Sequence, residues 1–355
     1  MSRFYPLRVK DIRKETGDCV SVSLEVPAEL KDAFSFTPGQ YLTFRIFEEG
    51  KEVRRSYSIC SSPYENEWRV AVKRIASGSF TTFVHDELKV GDTLEVMPPM
   101  GHFVHVVDPA KSGLYLAFAA GSGITPVMSI LKSVLTGEPN SKFILFYGNR
   151  NTENIIFREE IEGLKNLHLE RFSVHYVLSQ EHTGSELFSG RIDADRCRRF
   201  MAVLVDPADV EDVFLCGPFE MIQDLKGVLP DLGVPLRKIH HELFTTGGKL
   251  PQKPAKVENS PDIESIITIR LDGATTDFPL NSKGESILEA ALKAGADLPF
   301  SCKGGVCSTC RAKLIEGSVD MDVNWALEQD ELEDGYILTC QSHPKTSRVT
   351  VDFDV

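Results

Sequence analysis

Over the first hundred residues, apolar and polar positions alternate in short runs. In Cys19–Val26, Val20, Val22, Leu24 and Val26 share one face while Ser21, Ser23 and Glu25 share the other, the period of two of a half-buried strand. Residues Gln40–Ile46, Val53–Ile59, Trp68–Arg74 and Thr93–Met97 read the same way, punctuated by Pro38-Gly39 and Gly91-Asp92. A small antiparallel barrel is the expected closure. From Leu114 the texture changes to wholly apolar strands alternating with helical stretches. Strands are predicted over Leu114–Ala120, Phe143–Tyr147, Ser173–Ser179 and Val213–Cys216, with helices from the turn at 121–126 to about Leu135, near Ile155–Leu164 and from Glu220. That order predicts a doubly wound α/β domain with a parallel sheet, whose ligands bind at the carboxyl ends of the strands. Thr245–Asp262, with three prolines, Gly247-Gly248 and almost no large apolar residues, reads as a tether. After it, a strand over Ser265–Leu271 and a helix over Ser286–Ala294 belong to a third module. The boundaries expected are 1–107, 108–244, a linker at 245–262, and 263–355.

The length of 355 residues suits several domains, each with its own core. The net charge of −13 makes nucleic acid a poor partner. With no apolar run of 18 residues and no signal-like N-terminus, a soluble cytoplasmic protein is expected, with no membrane partner. The charge is uneven. Residues 263–355 hold 16 acidic against 8 basic side chains, and eight of the acids lie between Glu316 and Asp334, where Lys and Arg are absent. Such a run reads as a solvated surface or as a docking face for a protein partner.

Chemistry is densest in the third module. Cys302, Cys307 and Cys310 are spaced C-x4-C-x2-C, and Cys340 follows after 29 further residues. This is the plant-type spacing for a [2Fe–2S] cluster, in which one loop supplies three thiolates and a distant segment the fourth. Gly304, Gly305 and Ser308 are small enough to let that loop close around its cargo. A structural zinc site would use two C-x2–4-C knuckles, and only one half here has that form. Disulfides do not suit a chain without a secretory signal, and Cys19, Cys60, Cys197 and Cys216 are scattered singly.

Two spots stand out in the barrel. Along Arg54-Arg55-Ser56-Tyr57-Ser58, Arg55 and Tyr57 share a face, so a guanidinium and a ring can meet one ligand with a phosphate and a flat aromatic system. Gly78-Ser79-Phe80-Thr81 opens a helical stretch, where free N–H groups and a hydroxyl suit a pyrophosphate or simply cap the helix. In the α/β domain, Gly121-Ser122-Gly123-Ile124-Thr125-Pro126 is a strand-to-helix glycine turn, with Pro126 where the last glycine of G-x-G-x-x-G would stand. His240-His241 reads as strand-end packing or ligand surroundings, since HxH and HExxH patterns are absent from the sequence.

Taken together and in this order, these motifs resemble the ferredoxin–NADP reductase family. The match extends to the Tyr147–Arg150 strand end, to Cys216-Gly217-Pro218 and to Glu242 and Phe244. The resemblance implies FAD, with Arg55 on its phosphate, Tyr57 packed on the flavin, Ser58 near the reactive nitrogen, and Gly78, Phe80 and Thr81 at the pyrophosphate. The family often has two glycines at that helix, whereas Ser77 precedes Gly78 here. Gly121, Gly123, Thr125 and Pro126 would hold the pyrophosphate of NADPH or NADH, with Cys216, Gly217 and Pro218 near the nicotinamide and Phe244 near the flavin. Ser58, Cys216 and Glu242 are the implied catalytic residues. Nucleotide choice is balanced between Arg150, which suits a 2′-phosphate, and Ser179-Gln180-Glu181, which lacks the Ser-Arg of NADP-preferring members; NADPH is expected.

The third module resembles a plant-type ferredoxin of α+β (β-grasp) fold across residues 263–355, which implies Cys302, Cys307, Cys310 and Cys340 as ligands of the [2Fe–2S] cluster. The domain order resembles oxygenase reductases. The cluster loop and Leu-Thr-Cys-Gln are most like those of reductases serving a di-iron epoxidase that acts on phenylacetyl-CoA in phenylacetate catabolism. The implied activity is transfer of electrons from NAD(P)H through FAD and [2Fe–2S] to an oxygenase. A reductase for a Rieske or other hydroxylase system is an alternative, and a non-redox, zinc-holding binding module is one of another class.

Overall fold

The computed structural model describes residues 4–76, 78–244 and 262–355. Of these, one compact unit takes in 5–53 and 57–244, and the other 262–355, with residues 4 and 54–56 grouped with the latter. The predicted linker lies outside the described residues except for Asp262, as does Ser77.

The first unit begins with a six-stranded sheet of β1 (Tyr5–Thr16), β2 (Cys19–Glu25), β3 (Tyr41–Glu48), β4 (Lys51–Ser58), β5 (Trp68–Lys73) and β6 (Thr93–Val96), in the order β4-β3-β6-β1-β2-β5. Just beyond β4, Ile59 bridges Val70 of β5 in antiparallel fashion, and this contact joins the two ends of the sheet into a barrel. Leu7, Val9, Val22, Leu24, Leu42, Phe44, Val70 and Val72 fill its interior, as the period of two requires. The pattern missed β1, the longest strand. Its outward positions are mostly charged and only Leu7, Val9 and Thr16 are buried, so its apolar alternation is too sparse to register. Helix α1 (Ser79–Asp86) follows β5.

The same unit continues into a five-stranded sheet of β7 (Leu114–Ala120), β8 (Lys142–Asn149), β9 (Phe172–Leu178), β10 (Val210–Gly217) and β11 (Ile239–Leu243). All neighbours are parallel, in the order β11-β10-β7-β8-β9. Helices α2 (Ile124–Gly137), α3 (Arg158–Leu167), α4 (Ala194–Leu204) and α5 (Phe219–Asp231) connect the strands. The helix predicted over Ile155–Leu164 starts later than expected. Ile155, Ile156 and Phe157 are buried as a non-helical plug, and Phe157 turns the chain with a φ of 61°. Helix α4 has no counterpart among the predicted elements; Asp193 caps it by accepting from Arg196 N at 2.9 Å.

A buried cluster fastens barrel to α/β domain. Glu138, at the end of α2, accepts from His105 Nε2 at 2.7 Å, Asp108 N at 3.2 Å and Ser141 Oγ at 2.8 Å. Ser129 Oγ of α2 donates to Ser61 O at 2.7 Å.

The second unit is a mixed sheet of β12 (Glu264–Leu271), β13 (Ala274–Asn281), β14 (Arg311–Glu316), β16 (Tyr336–Leu338) and β18 (Arg348–Asp352), in the order β13-β12-β18-β14-β16. A small pair, β15 (Val319–Met321) and β17 (Ser342–Pro344), stands beside it. Only β12 and β18 run parallel. Helix α6 (Ile287–Lys293) packs Ile287, Leu288, Ala290 and Ala291 into the core, as the β-grasp expectation requires. A short α7 (Gln329–Glu333) lies in the acidic run. Among the described residues no helix is long and apolar enough to cross a membrane.

Candidate active site and cluster loop

The three residues implied as catalytic come from distant stretches and meet in the first unit. Ser58, at the end of β4, is buried, and its Oγ donates to Glu242 Oε2 at 3.1 Å. Glu242 lies on β11 directly opposite Cys216 of β10 in the parallel register. Burial outweighs the Ser58 hydrogen bond and raises the Glu242 pKa to about 7, because desolvation disfavours the charged carboxylate. Burial likewise pushes the Cys216 thiol far up, reinforced by the neighbouring Glu242 charge. Cys216 is therefore a neutral thiol at any working pH.

Next to Ser58, Tyr57 stacks on Phe80 with ring centroids 5.2 Å apart and planes 27° apart. Phe80 is buried in the barrel core, and Tyr57, half-buried, packs against it. Arg55 is exposed on β4 and donates to Arg54 O at 2.7 Å. Gly78 is the N-cap of α1, and no cap side chain covers the first N–H groups of the helix, so they are open to an anion. Thr81 is buried, and its hydroxyl is turned inward, donating to Gly78 O at 2.9 Å. That bond shapes the turn at the start of the helix.

The glycine turn leads into α2, which also has no side-chain cap. Gly123 is compulsory here: a Cβ would lie 2.2 Å from Cys216 O and 3.0 Å from Gly217 N. The absence of a side chain thereby seats the helix start against the Cys-Gly-Pro segment, and two motifs separated by some ninety positions become one surface. Gly121, by contrast, has a φ of +55° and open space around it. Thr125 Oγ1 donates to Ser122 O at 3.0 Å and Tyr147 Oη to Gly121 O at 2.9 Å, so both hold the turn. Pro126 is buried in the first turn of α2, and Pro218 caps α5. Phe244 N donates to Gly217 O at 3.0 Å. Arg150 is exposed beyond the end of β8, and its carbonyl accepts from Gln180 N at 2.7 Å. Beside it, Glu181 accepts from Thr152 N at 2.7 Å and Thr152 Oγ1 at 2.8 Å, a contact that no local pattern in the sequence signals. His240 pairs with Asp212 at 3.3 Å and stacks on Phe214.

In the second unit the four cysteines lie as two interacting pairs, Cys302 beside Cys307 and Cys310 beside Cys340. The partner thiol is the chief cause that holds Cys302 and Cys340 below the ordinary thiol value. Two pairs match what a two-iron cluster asks, two thiolates for each iron. Backbone N–H groups already point at sulfur, from Cys302 to Cys307 Sγ at 3.4 Å and from Gly304 to Cys302 Sγ at 3.3 Å. Thr309 Oγ1 adds a donor to Cys307 Sγ at 3.2 Å. Ser301 Oγ is buried without a hydrogen-bond partner among the described residues, one position before Cys302. Of the small residues expected to matter, Gly305 does: its φ is +73°, and a Cβ would meet Val323 and Gln341 at 3.0 and 3.1 Å. Ser308 adopts a φ of 51°. Gly304 has room for a side chain, its nearest neighbour being Cys302 O at 3.7 Å, so space does not explain it. The acidic run is partly internal. Glu331 pairs with Arg311 at 2.8 Å and shares a capping box with Glu328, and Asp322 lies 3.4 Å from His343.

A fold of barrel, parallel sheet and β-grasp, with a half-buried acid at one site and paired thiols at another, is that of a flavin- and iron–sulfur-dependent oxidoreductase. Family models match in the same order: an oxidoreductase FAD-binding domain over residues 6–105, an oxidoreductase NAD-binding domain over 118–227, and a 2Fe-2S iron-sulfur cluster binding domain over 269–345. The chain belongs to the ferredoxin–NADP reductase family, among the oxygenase reductases with a C-terminal plant-type ferredoxin domain. It is 43% identical to a component of the 1,2-phenylacetyl-CoA epoxidase of Escherichia coli (strain K12), over 100% of this chain and 99% of that one. It is 34% identical to the ferredoxin reductase component of the 3-ketosteroid-9-alpha-monooxygenase of Rhodococcus rhodochrous, over 99% and 97%. Among solved structures, phthalate dioxygenase reductase shares the fold over 99% of this chain and 98% of its own, with a TM-score of 0.54 and 23% identity. An intact type IV self-sufficient cytochrome P450 monooxygenase shares it over 98% of this chain, with a TM-score of 0.67 and 23% identity; this chain spans 41% of that one. The iron–sulfur match removes the zinc-holding alternative.

Proposed function

We propose that the chain draws electrons from NADPH and delivers them to the oxygenase component of a phenylacetyl-CoA epoxidase. The acceptor rests on the full-length identity of 43% to a component of that system. The site reading rests on one observation, the meeting of Ser58, Cys216 and Glu242. A reductase for a steroid hydroxylase is a second reading, motivated by the 34% identity to the 3-ketosteroid component. The domain limits at 107, 244 and 262 and a cytoplasmic location belong to the same proposal.

Bound FAD would supply the conversion between the two-electron chemistry of a nicotinamide and the one-electron chemistry of a [2Fe–2S] cluster. The residues provide the setting. Tyr57, backed by the buried Phe80, supplies the ring surface, while Arg55 and the N–H groups after Gly78 meet the phosphates. Gly121, Gly123, Thr125 and Pro126 set the start of α2 for the nucleotide's pyrophosphate, and Arg150 meets its 2′-phosphate. Cys216, Gly217, Pro218 and Phe244 line the nicotinamide end. Cys216, held neutral, adds no charge beside the reacting carbon. Glu242, with a pKa near the working pH, exchanges a proton through Ser58 Oγ. Cys302, Cys307, Cys310 and Cys340 hold the cluster.

The test is a Cys307→Ser variant of the full chain, assayed with NADPH and two acceptors. Reduction of ferricyanide should persist, since it needs only the flavin. Turnover of the phenylacetyl-CoA epoxidase should be lost. Full epoxidase turnover by the variant would overturn the route through the cluster, and failure of the wild-type protein to drive that enzyme would overturn the acceptor.

A further inference from the structure

Gln341 follows the fourth cysteine and is almost wholly buried in the second unit, at 1% exposure. Its amide sits where polar groups are costly, so its bonds must justify it. Nε2 lies 2.9 Å from Lys303 O, 2.9 Å from Cys340 O and 3.5 Å from Cys340 Sγ. Only an NH2 group can donate to two carbonyl oxygens, so the chemistry of the neighbours fixes which way the amide faces. Oε1, at the other end, is buried with no hydrogen-bond partner among the described residues. The amide dipole is thus held with its positive end toward Cys340 and its negative end away.

The contacts join the two halves of the ligand set. Lys303 lies in the loop between Cys302 and Cys307, whereas Cys340 comes from the segment after β16. The backbone of Gln341 is itself fastened, its N–H donating to Leu338 O at 2.9 Å and its carbonyl accepting from Asp322 N at 2.8 Å. Its Cγ stands where a side chain on Gly305 would collide with it, at 3.1 Å. The side chain therefore has little freedom to turn away.

We propose that Gln341 is a positioning residue that sets the reduction potential of the cluster, by holding the positive end of its amide dipole 3.5 Å from Cys340 Sγ and bracing the Lys303 carbonyl of the cluster loop. Positive dipole ends beside a ligating sulfur stabilise the extra negative charge of the reduced cluster and so raise its potential. The proposal rests on Cys340 being a ligand. Failure of that assignment is separately visible: a Cys340→Ser protein that retained the native cluster would sink it whatever Gln341 does.

The experiment uses the full-length protein with both cofactors, in Gln341→Met, which keeps the length of the side chain and removes its donors. Iron and sulfide content are measured, and the cluster is titrated with spin resonance detection. The expected result is a retained cluster with a lower midpoint potential. Its electron share against the flavin at equilibrium should fall about tenfold, or about 59 mV for one electron, while reduction of the flavin by NADPH is unchanged. Gln341→Glu should also lower the potential, increasingly at higher pH as the carboxyl ionises beside the cluster. Wild-type potentials and resonance spectra in both variants would overturn the proposal. Loss of the cluster from both would overturn it as well, leaving Gln341 a purely structural brace.

Discussion

Ser58 Oγ donates to Glu242 Oε2 at 3.1 Å across 184 positions of sequence. One partner ends a strand of the barrel and the other lies on the edge strand of the parallel sheet. The bond therefore ties the proposed flavin face to the proposed nucleotide face. It also tells the two groups apart chemically: the hydroxyl donates, and the carboxylate is the group whose charge varies with pH.

Glu242 carries the first prediction. Its pKa is raised in the folded protein from 4.5 to about 7, so the folded state binds a proton more tightly than the unfolded chain. The stabilisation linked to that proton is complete below about pH 4.5 and is lost as pH rises through about 7. Glu242→Gln removes the linkage. Its melting temperature should gain on that of the wild type as pH goes from 5 to 9. The rate of flavin reduction should lose its ionisation near neutrality and fall by about 10²-fold at its optimum. Thermal melts and stopped-flow reduction across pH check both. A variant whose rate keeps the same pH profile would remove Glu242 from the proton route.

Gly123→Ala should damage the nucleotide site without touching the cluster. The added Cβ would lie 2.2 Å from the Cys216 carbonyl oxygen and 2.6 Å from its carbon. Backbone cannot swing aside as a long side chain can. Such overpacking costs about 1–3 kcal/mol, and α2 must shift from the Cys-Gly-Pro segment. We expect a lower melting temperature and a raised KM for NADPH, with unchanged iron–sulfur absorption. Wild-type KM would show that the close approach is unimportant for the nucleotide.

At the ends of β8 and β9 two opposite charges face the same question. Arg150→Ala should raise KM for NADPH about tenfold, corresponding to one charge-assisted bond, and that for NADH much less. Glu181, held by two bonds from Thr152, would present a like charge to a 2′-phosphate bound by Arg150. Glu181→Gln should therefore shift preference the other way, toward NADPH. Steady-state kinetics with both nucleotides decide it, and equal effects on the two would remove these residues from the choice.

Much of this molecule was readable along the chain because its chemistry is local. The C-x4-C-x2-C loop specifies three cysteines within nine positions, and a thiolate cluster needs little more than that spacing. The apolar runs at Leu114–Ala120 and Phe143–Tyr147 exposed the parallel sheet, since strands covered on both faces lose their polar alternation. Where the signal was weak, the reasons are physical. Strand β1 is mostly charged on its outward face. At Ile155–Phe157 three apolar residues look like the start of a helix, yet burying them in the core outweighs the helical turn they would otherwise form.

Sequence by itself determined the kinds of group present and their local order: an RxYS strand, a glycine turn, a Cys-Gly-Pro strand end and four cysteines in plant-type spacing. Tertiary structure decided what those groups became. The pairing of β10 with β11 sets Cys216 against Glu242, and packing of the barrel on the α/β domain brings Ser58 to the same carboxylate. Only burial raises that carboxyl's pKa, since a glutamate in the bare chain is fully hydrated. Likewise Gln341 is one polar letter after a cysteine until the fold closes the Lys303 loop over it. Spacing is a property of the chain, whereas desolvation and hydrogen-bond direction exist only after distant segments have been packed together.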